Sequence, residues 1–453
     1  MQTSIQEKEQ SLAVFQTMSV PRAVLNNAIP AIAAMLMVLI YNVADTFFIG
    51  QTHNALMVAA VSLVTPVFLF FMAVGTIFGI GGTSVISSAL GEKRLDYARQ
   101  VSSFCLWSCV GVGLVMALAM WYCMDPVLKL IGASADTWEM AQTYLEIVLF
   151  SGPFVLIGNC YSNIIRAEGQ SMKAMMGMLI GNLLNVILDP IMILGFGWNV
   201  AGAAIATVIG NVVGALYYLI YLGYGNSLLG VSRPVFHSGG VAWSVLAIGL
   251  PASVGSILMS VSSIIMNSHM ATYGDMAVAG IGVAIKVTMM TGMVCLGLGQ
   301  GVQPLLGYCI GAQNWSRYKA ILRFSMIFAL LLSLILTVVC YLFTNQIVQA
   351  FVTDSNALAY GVSFARILLS TSALFGVFYV IISALQAMGA GTPSLIINLS
   401  RQGLIYIPSL YLLETVFGVN GIVWAQPLAD VLSFILAIVL YLPLHFDLKI
   451  RPS

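Results

Sequence analysis

Residues 28–50 read AIPAIAAMLMVLIYNVADTFFIG, and residues 247–274 read AIGLPASVGSILMSVSSIIMNSHMATYG. Each is an apolar run long enough to cross a bilayer as a helix, since about 20 residues at 1.5 Å each span the hydrocarbon core. The two runs also match each other, Pro30 falling opposite Pro251 at an offset of 221. The match continues in register. GIGGTSVISSALGEKRLDYAR (79–99) aligns with GQGVQPLLGYCIGAQNWSRYK (299–319) at an offset of 220, Gly169 pairs with Gly389, and Gly202 with Gly421. Shared apolar composition would not keep glycines and prolines in step from Pro30 to Gly202, so the chain is an internal duplication.

Outward from these runs, apolar segments fall near 23–49, 57–90, 101–122, 141–165, 174–196, 201–222, 243–270, 277–310, 320–343, 358–385, 394–413 and 421–443, twelve in all. Sixty per cent of the 453 residues are apolar and 7% charged, against roughly 45–50% and 25% in a soluble domain. No water-soluble fold hides that much apolar surface. Backbone groups in lipid must be satisfied within the segment, and these runs do not alternate as barrel strands do. The expected fold class is therefore an all-α membrane protein with twelve transmembrane helices in two homologous six-helix bundles. The expected boundaries are 1–223 for the N-terminal bundle, 224–241 for a cytoplasmic linker and 242–453 for the C-terminal bundle. The linker holds the long polar connection YGNSLLGVSRPVFHSGG (224–240). Six crossings per half insert both halves the same way up, a common arrangement for alternating access.

Charge placement gives orientation. With both termini in the cytoplasm, thirteen basic residues fall on that side: Lys8, Arg22, Lys93, Arg94, Arg99, Arg166, Lys173, Arg233, Arg317, Lys319, Arg323, Lys449 and Arg451. Only Lys129 falls on the other, the asymmetry expected of cytoplasmic loops. The start, MQTSIQEKEQSLAVFQTMSVPRAVL, lacks a short apolar region ending in a small-residue cleavage site, so the first helix is expected to be retained. No basic block points to nucleic acid. Seven cysteines, mostly within apolar runs and without metal-ligand spacing, read as small packing residues. The glycines at 79, 81 and 82 and at 297, 299 and 301 lie inside apolar segments and read as sites of close helix packing or bending, not as a phosphate cradle.

Ionisable residues at membrane depth are costly and therefore candidates for function. Asp45 lies deep in the first segment, with Tyr41 and Asn42 one turn before it on nearly the same face. In the fifth segment, GNLLNVILDPIMIL (181–194), Asn182, Asn185 and Asp189 share a face. Thr207 in the sixth segment lies at a comparable depth, and Asn159 in the fourth lies nearer the cytoplasm. Two carboxylates with amides and a hydroxyl form an all-oxygen set that suits Na⁺ or a proton. Other readings stand beside this one: Asp45 as an interfacial residue, Asp189 as local to the break at Pro190, and the amides and Thr207 as bridges between helices. The second half lacks matching acids, since Asp45 and Asp189 pair with Met266 and Ser409. Its embedded charges are Lys286, Arg366, Arg401 and Asp430; Asp430, opposite Asn211, reads as a structural hydrogen-bonding residue. Met259, Met266, Met289 and Met293 are candidates for an adaptable apolar cavity lining, with Tyr41, Asn42, Asn182 and Lys286 as further candidates for contact with substrate.

Four stretches in order carry a resemblance: YNVADTFFIG (41–50), IRAEGQSMKAMMGMLIGNLLNVILDPIMIL (165–194), VAGAAIATVIGN (200–211), and the repeated glycine motif ending the second and eighth segments. Over essentially its full length the chain resembles the multidrug and toxic compound extrusion (MATE) transporters, most closely the DinF-like branch that includes the MepA-like bacterial proteins. The resemblance implies a V-shaped pair of six-helix bundles in a bacterial inner (plasma) membrane. It implies export of small organic, often cationic, compounds in exchange for inward Na⁺ or H⁺, with no cofactor, no metal beyond that Na⁺, and a monomeric state. The family's first-lobe cation site maps onto Asp45, Asn159, Asn185, Asp189 and Thr207, and its helix-bending proline onto Pro30. The alternative within the broader superfamily is a flippase of lipid-linked saccharides, which would need several cations in its cavity. An enzyme is not expected, because His53, His237, His269 and His445 are scattered at segment ends.

Overall fold

The computed structural model describes residues 12–51, 54–224, 227–230, 240–352 and 354–450. His53, Arg233, His237 and most of the linker expected at 224–241 lie outside them. The described chain is helical, and its long helices follow the apolar runs. They are α1 (Val20–Gly50), α2 (Ala55–Gly91), α3 (Leu95–Tyr122), α4 (Trp138–Leu149 and Gly152–Ala167), α5 (Ser171–Asp189) and α6 (Asn199–Gly223). The second half repeats the order with α7 (Val241–Ala271), α8 (Asp275–Gly311), α9 (Trp315–Leu342), α10 (Ser355–Leu369 and Phe375–Ala387), α11 (Gly391–Leu399 and Tyr406–Phe417) and α12 (Val419–Ile450). Ten of the described helical stretches are long and apolar enough to cross a membrane, and α4, bent by 56° between its halves, makes an eleventh. The twelfth crossing, α11, is interrupted by a π turn at Ser400–Leu404. Side chains such as Val115 and Leu118 on α3, and Ile335 and Leu342 on α9, are more than half exposed, as a lipid-facing surface requires.

The breaks have local causes. Pro153 opens the second half of α4, where its missing N–H costs nothing. Pro190 cannot donate to the helix carbonyl one turn back, and α5 continues as a π turn over Pro190–Gly195, closed by Phe196 N–H donating to the Ile191 carbonyl at 2.9 Å. α11 has a π turn of its own at Ser400–Leu404, without a proline and about ten residues earlier in the repeat than that of α5, Ile405 N–H donating to the Ser400 carbonyl at 3.0 Å.

The duplication is visible in backbone detail. After α2, Lys93 takes a left-handed conformation (φ 62°) and Arg94 N–H donates to the Ala89 carbonyl at 2.8 Å; after α8, Gln313 (φ 55°) and the bond from Asn314 to Cys309 at 2.9 Å reproduce that turn. Gly169 (φ 82°) and Gly389 (φ 74°) stop α4 and α10 in the same way, a conformation that favours glycine.

By internal contacts the chain forms two compact units. The first is built on Ala33–Gly249, the second on Ser19–Ile32 and Leu250–Ser453. The start of α1 thus belongs to the second unit, where a side chain on Gly297 or Gly301 of α8 would come within 2.8 or 2.7 Å of the Ile32 or Ala28 Cα. The start of α7 belongs to the first unit, where Gly249 lies against the Ile77 carbonyl of α2 and Gly81 against that of Val245.

Candidate functional site

Within the first unit, α1 carries Tyr41 and Asp45 one turn apart, and α5 carries Asn185 and Asp189 at the same spacing. The crossing of α5 with α6 depends on glycine. A Cβ on Gly181 of α5 would lie 2.8 Å from the Gly210 carbonyl oxygen of α6, and one on Gly210 would lie 2.7 Å from the Gly181 carbonyl oxygen and 3.1 Å from the Asn185 Cβ. This contact brings Asn185 against α6, where its Nδ2 donates to Thr207 Oγ1 at 3.2 Å.

Asp189 is fully buried, and Asn185 and Thr207 nearly so. The carboxyls of Asp45 and Asp189 face each other, and the hydroxyls of Tyr41 and Tyr144 lie beside Thr207 in the field of both acids. Four buried acceptors in this pocket meet no donor among the described residues: Asp45 Oδ1, Asn185 Oδ1, and both carboxylate oxygens of Asp189. Buried acceptors and charges left unpaired are strongly unfavourable. A proton bound between the acids, or a hard cation among the oxygens, would supply the missing partner.

Asn159 is differently employed. Its Nδ2 donates to the Met72 carbonyl at 2.8 Å and contacts Thr76 Oγ1 at 3.3 Å, which ties α4 to α2. Tyr41 and Asn182 are half-buried, and Asn42 is exposed.

At the end of α4 in the same unit, Glu168 is fully buried. Its Oε2 accepts from Ser227 Oγ and from Leu228 N–H, both at 2.8 Å, while Arg99 Nε donates to the Leu228 carbonyl at 3.0 Å. The chain leaving α6 is thus pinned beneath the unit. Nothing in the spacing of Glu168 announced this, because its partners lie some sixty residues away in sequence.

The MatE family model matches the chain twice, at residues 30–191 and 251–412. The chain belongs to the MatE family. Multidrug export protein MepA of Staphylococcus aureus (strain MSSA476) is 31% identical over 452 residues, covering 98% of this chain and 99% of its own length. MepA of Staphylococcus haemolyticus (strain JCSC1435) is 31% identical over 436 residues, 95% of each chain. A solved structure described as the outward-facing conformation of a multidrug resistance MATE family transporter of the MOP superfamily shares the fold, with a TM-score of 0.92, 24% identity, and coverage of 97% of this chain and 98% of that one. The double match at an offset of 221 is the duplication read from Pro30 and Pro251, and the twelve-helix, two-bundle architecture is that of MatE proteins.

In this MatE chain the second unit treats the corresponding positions differently. Met266 is buried in an apolar core with Tyr406, Leu410 and Val423. Met289 and Met293 are half-buried, while Met259 and Lys286 are exposed, the Lys286 ammonium lying 5.4 Å from the Phe351 ring centroid. Pro30 lies inside α1, which continues through it as one helix. At the acid pocket itself, the residue that the sequence did not announce is Tyr144. It lies in WEMAQTYLEIVL (138–149), where an aromatic on an amphipathic helix gives no sign that it turns toward two acids on other helices.

Proposed function

We propose that this protein is a multidrug efflux antiporter, exporting small organic, often cationic, compounds in exchange for inward Na⁺ or H⁺ by alternating access across a bacterial inner membrane, both termini cytoplasmic. One observation carries the coupling part: four buried acceptor atoms on Asp45, Asn185 and Asp189 that no donor among the described residues meets. Asp45 and Asp189 hold the coupling cation, Asn185 and Thr207 complete its oxygen surroundings, and Tyr41 and Tyr144 close the pocket. Asn159 fixes α4 against α2 beside it. The names of the relatives, multidrug export proteins over nearly the full length, support the substrate class.

The test is transport of a labelled lipophilic cation in proteoliposomes under separate Na⁺ and pH gradients. One of the two gradients is expected to drive uphill movement in the native protein. Asp189→Asn, reconstituted to the same density, is expected to fall to the level of protein-free liposomes. Undiminished uphill transport by Asp189→Asn would remove this pocket from coupling.

A further inference from the structure

Inside the second unit, one cluster of polar and aromatic groups is built around Arg401, in the π turn of α11. Its Nε donates to Asp430 Oδ1 of α12 at 2.7 Å, and its Nη1 reaches the Tyr379 hydroxyl at 3.3 Å. The rings of Phe375, Phe378 and Tyr379 surround the guanidinium at 4.9, 4.9 and 5.8 Å from their centroids. Asp430 also accepts from Gln426 Nε2 at 3.0 Å and Thr371 Oγ1 at 3.4 Å. The two charged side chains are 13% and 3% exposed. A carboxylate among aromatic faces is a receptor for an organic cation. Here the cation is part of the chain.

The repeat shows what this cluster stands opposite. The offset of 219 that pairs Gly202 with Gly421 places Gln426 opposite Thr207 and Asp430 opposite Asn211. The offset of 220 places Tyr379 opposite Asn159, Arg401 opposite Gly181 and Ser409 opposite Asp189. Where Gly181 lets α5 touch α6 directly, Arg401 projects a side chain that reaches Asp430 of α12. Among the described residues, the first unit therefore gathers two carboxyls with no basic side chain beside them, and the second gathers one carboxylate with a guanidinium tethered beside it.

We propose that Arg401 is the resident cation of the second unit. It fills permanently the part that an exchangeable cation fills in the first, so a transport cycle carries coupling cations through the first unit only. A guanidinium does not release its proton in the physiological range, and its tether prevents exchange. The inference rests on the cation-coupled reading above and adds which half exchanges and which does not.

Chemical rescue tests the resident role. In purified protein, Arg401→Ala leaves Asp430 in a cage shaped for a guanidinium, and its unfolding midpoint should drop. Millimolar guanidinium or methylguanidinium should restore much of the loss, equal K⁺ should not, and the native protein should respond to neither. The double variant Arg401→Met with Asp430→Asn removes both charges. It should fold and should export with the native dependence on Na⁺ and pH gradients and the native number of cations per substrate. An Arg401→Ala protein insensitive to guanidinium, or a folded double variant with lost coupling or an altered cation count, overturns the proposal. If Arg401→Ala does not fold, the double variant decides alone. Failure of the coupling reading is separately visible, as uphill transport by Asp189→Asn.

Discussion

Asp189 and Glu168 are both fully buried carboxyls in the first unit, and their surroundings assign them opposite tasks. Asp189 faces another acid and meets no donor among the described residues, which suits a group that takes up and releases a cation. Glu168 accepts from a hydroxyl and a backbone N–H and holds a strand of chain in place. Burial pushes the Glu168 carboxyl above its ordinary range, with the hydrogen bonds from Ser227 and the Leu228 backbone pulling the other way. A carboxyl raised on folding contributes stability that is full below its unfolded value, about 4.3 for glutamate, and is lost as pH rises through the folded value. Glu168→Gln keeps an acceptor for Ser227 and Leu228 without the charge. Its unfolding midpoint should equal that of the native protein in acid and exceed it increasingly as pH rises toward neutrality. Glu168→Ala, which orphans the donors, should lower the midpoint at every pH, by the equivalent of about 1–3 kcal/mol. A constant difference between Glu168→Gln and native across pH would show that the carboxyl is not held above its ordinary range.

At the scale of elements, the helices are placed by glycines at which another backbone passes without room for a methyl. Gly249 on α7 lies against the Ile77 carbonyl and Gly421 on α12 against the Leu413 carbonyl, whereas Gly111 on α3 and Gly292 on α8 have nothing within 4 Å of an added Cβ. Gly249→Ala and Gly421→Ala should each destabilise by about 1–3 kcal/mol or prevent folding. Gly111→Ala and Gly292→Ala should be neutral or stabilising by up to roughly 1 kcal/mol, because alanine holds a helix better. Thermal unfolding in one detergent separates the two groups, and equal effects would contradict the packing. These contacts also mark where sequence reading stops. The helices were legible because a long apolar run has few alternatives, and the break after Asp189 was legible because Pro190 follows it. The π turn at Ser400–Leu404 has no proline to announce it, and the Arg401–Asp430 pair joins residues 29 apart on separate helices, a pairing that apolar patterning does not encode. Asp45, Asn185, Asp189 and Thr207 were legible as polar residues at matching depth. That Tyr144 joins them depends on the rotation of α4, which its own residues do not fix.

For the whole molecule, coupling is a relation between two binding equilibria. If the cation pocket of the first unit and the substrate site are linked, export requires the inward-moving cation to favour a state that binds substrate poorly. Reciprocity then requires substrate to weaken cation binding by the same factor, roughly 5–150-fold for a coupling of about 1–3 kcal/mol. α1 is suited to transmit this link, since it carries Asp45, contains Pro30, and belongs to the second unit over Ser19–Ile32 and to the first from Ala33 onward. Substrate affinity measured in detergent across Na⁺ concentration and pH should therefore weaken as the coupling cation rises, by a factor in that range. Asp45→Asn should flatten the dependence while leaving binding at low cation intact. The double variant at Arg401 and Asp430 should retain the native slope, because the ion pair it removes takes no part in the proposed exchange. Pro30→Ala should slow turnover more than it changes equilibrium affinity, since it alters the path between states more than the contacts within each. A native-like cation dependence in Asp45→Asn would place the link outside this pocket, whatever the transport assays show.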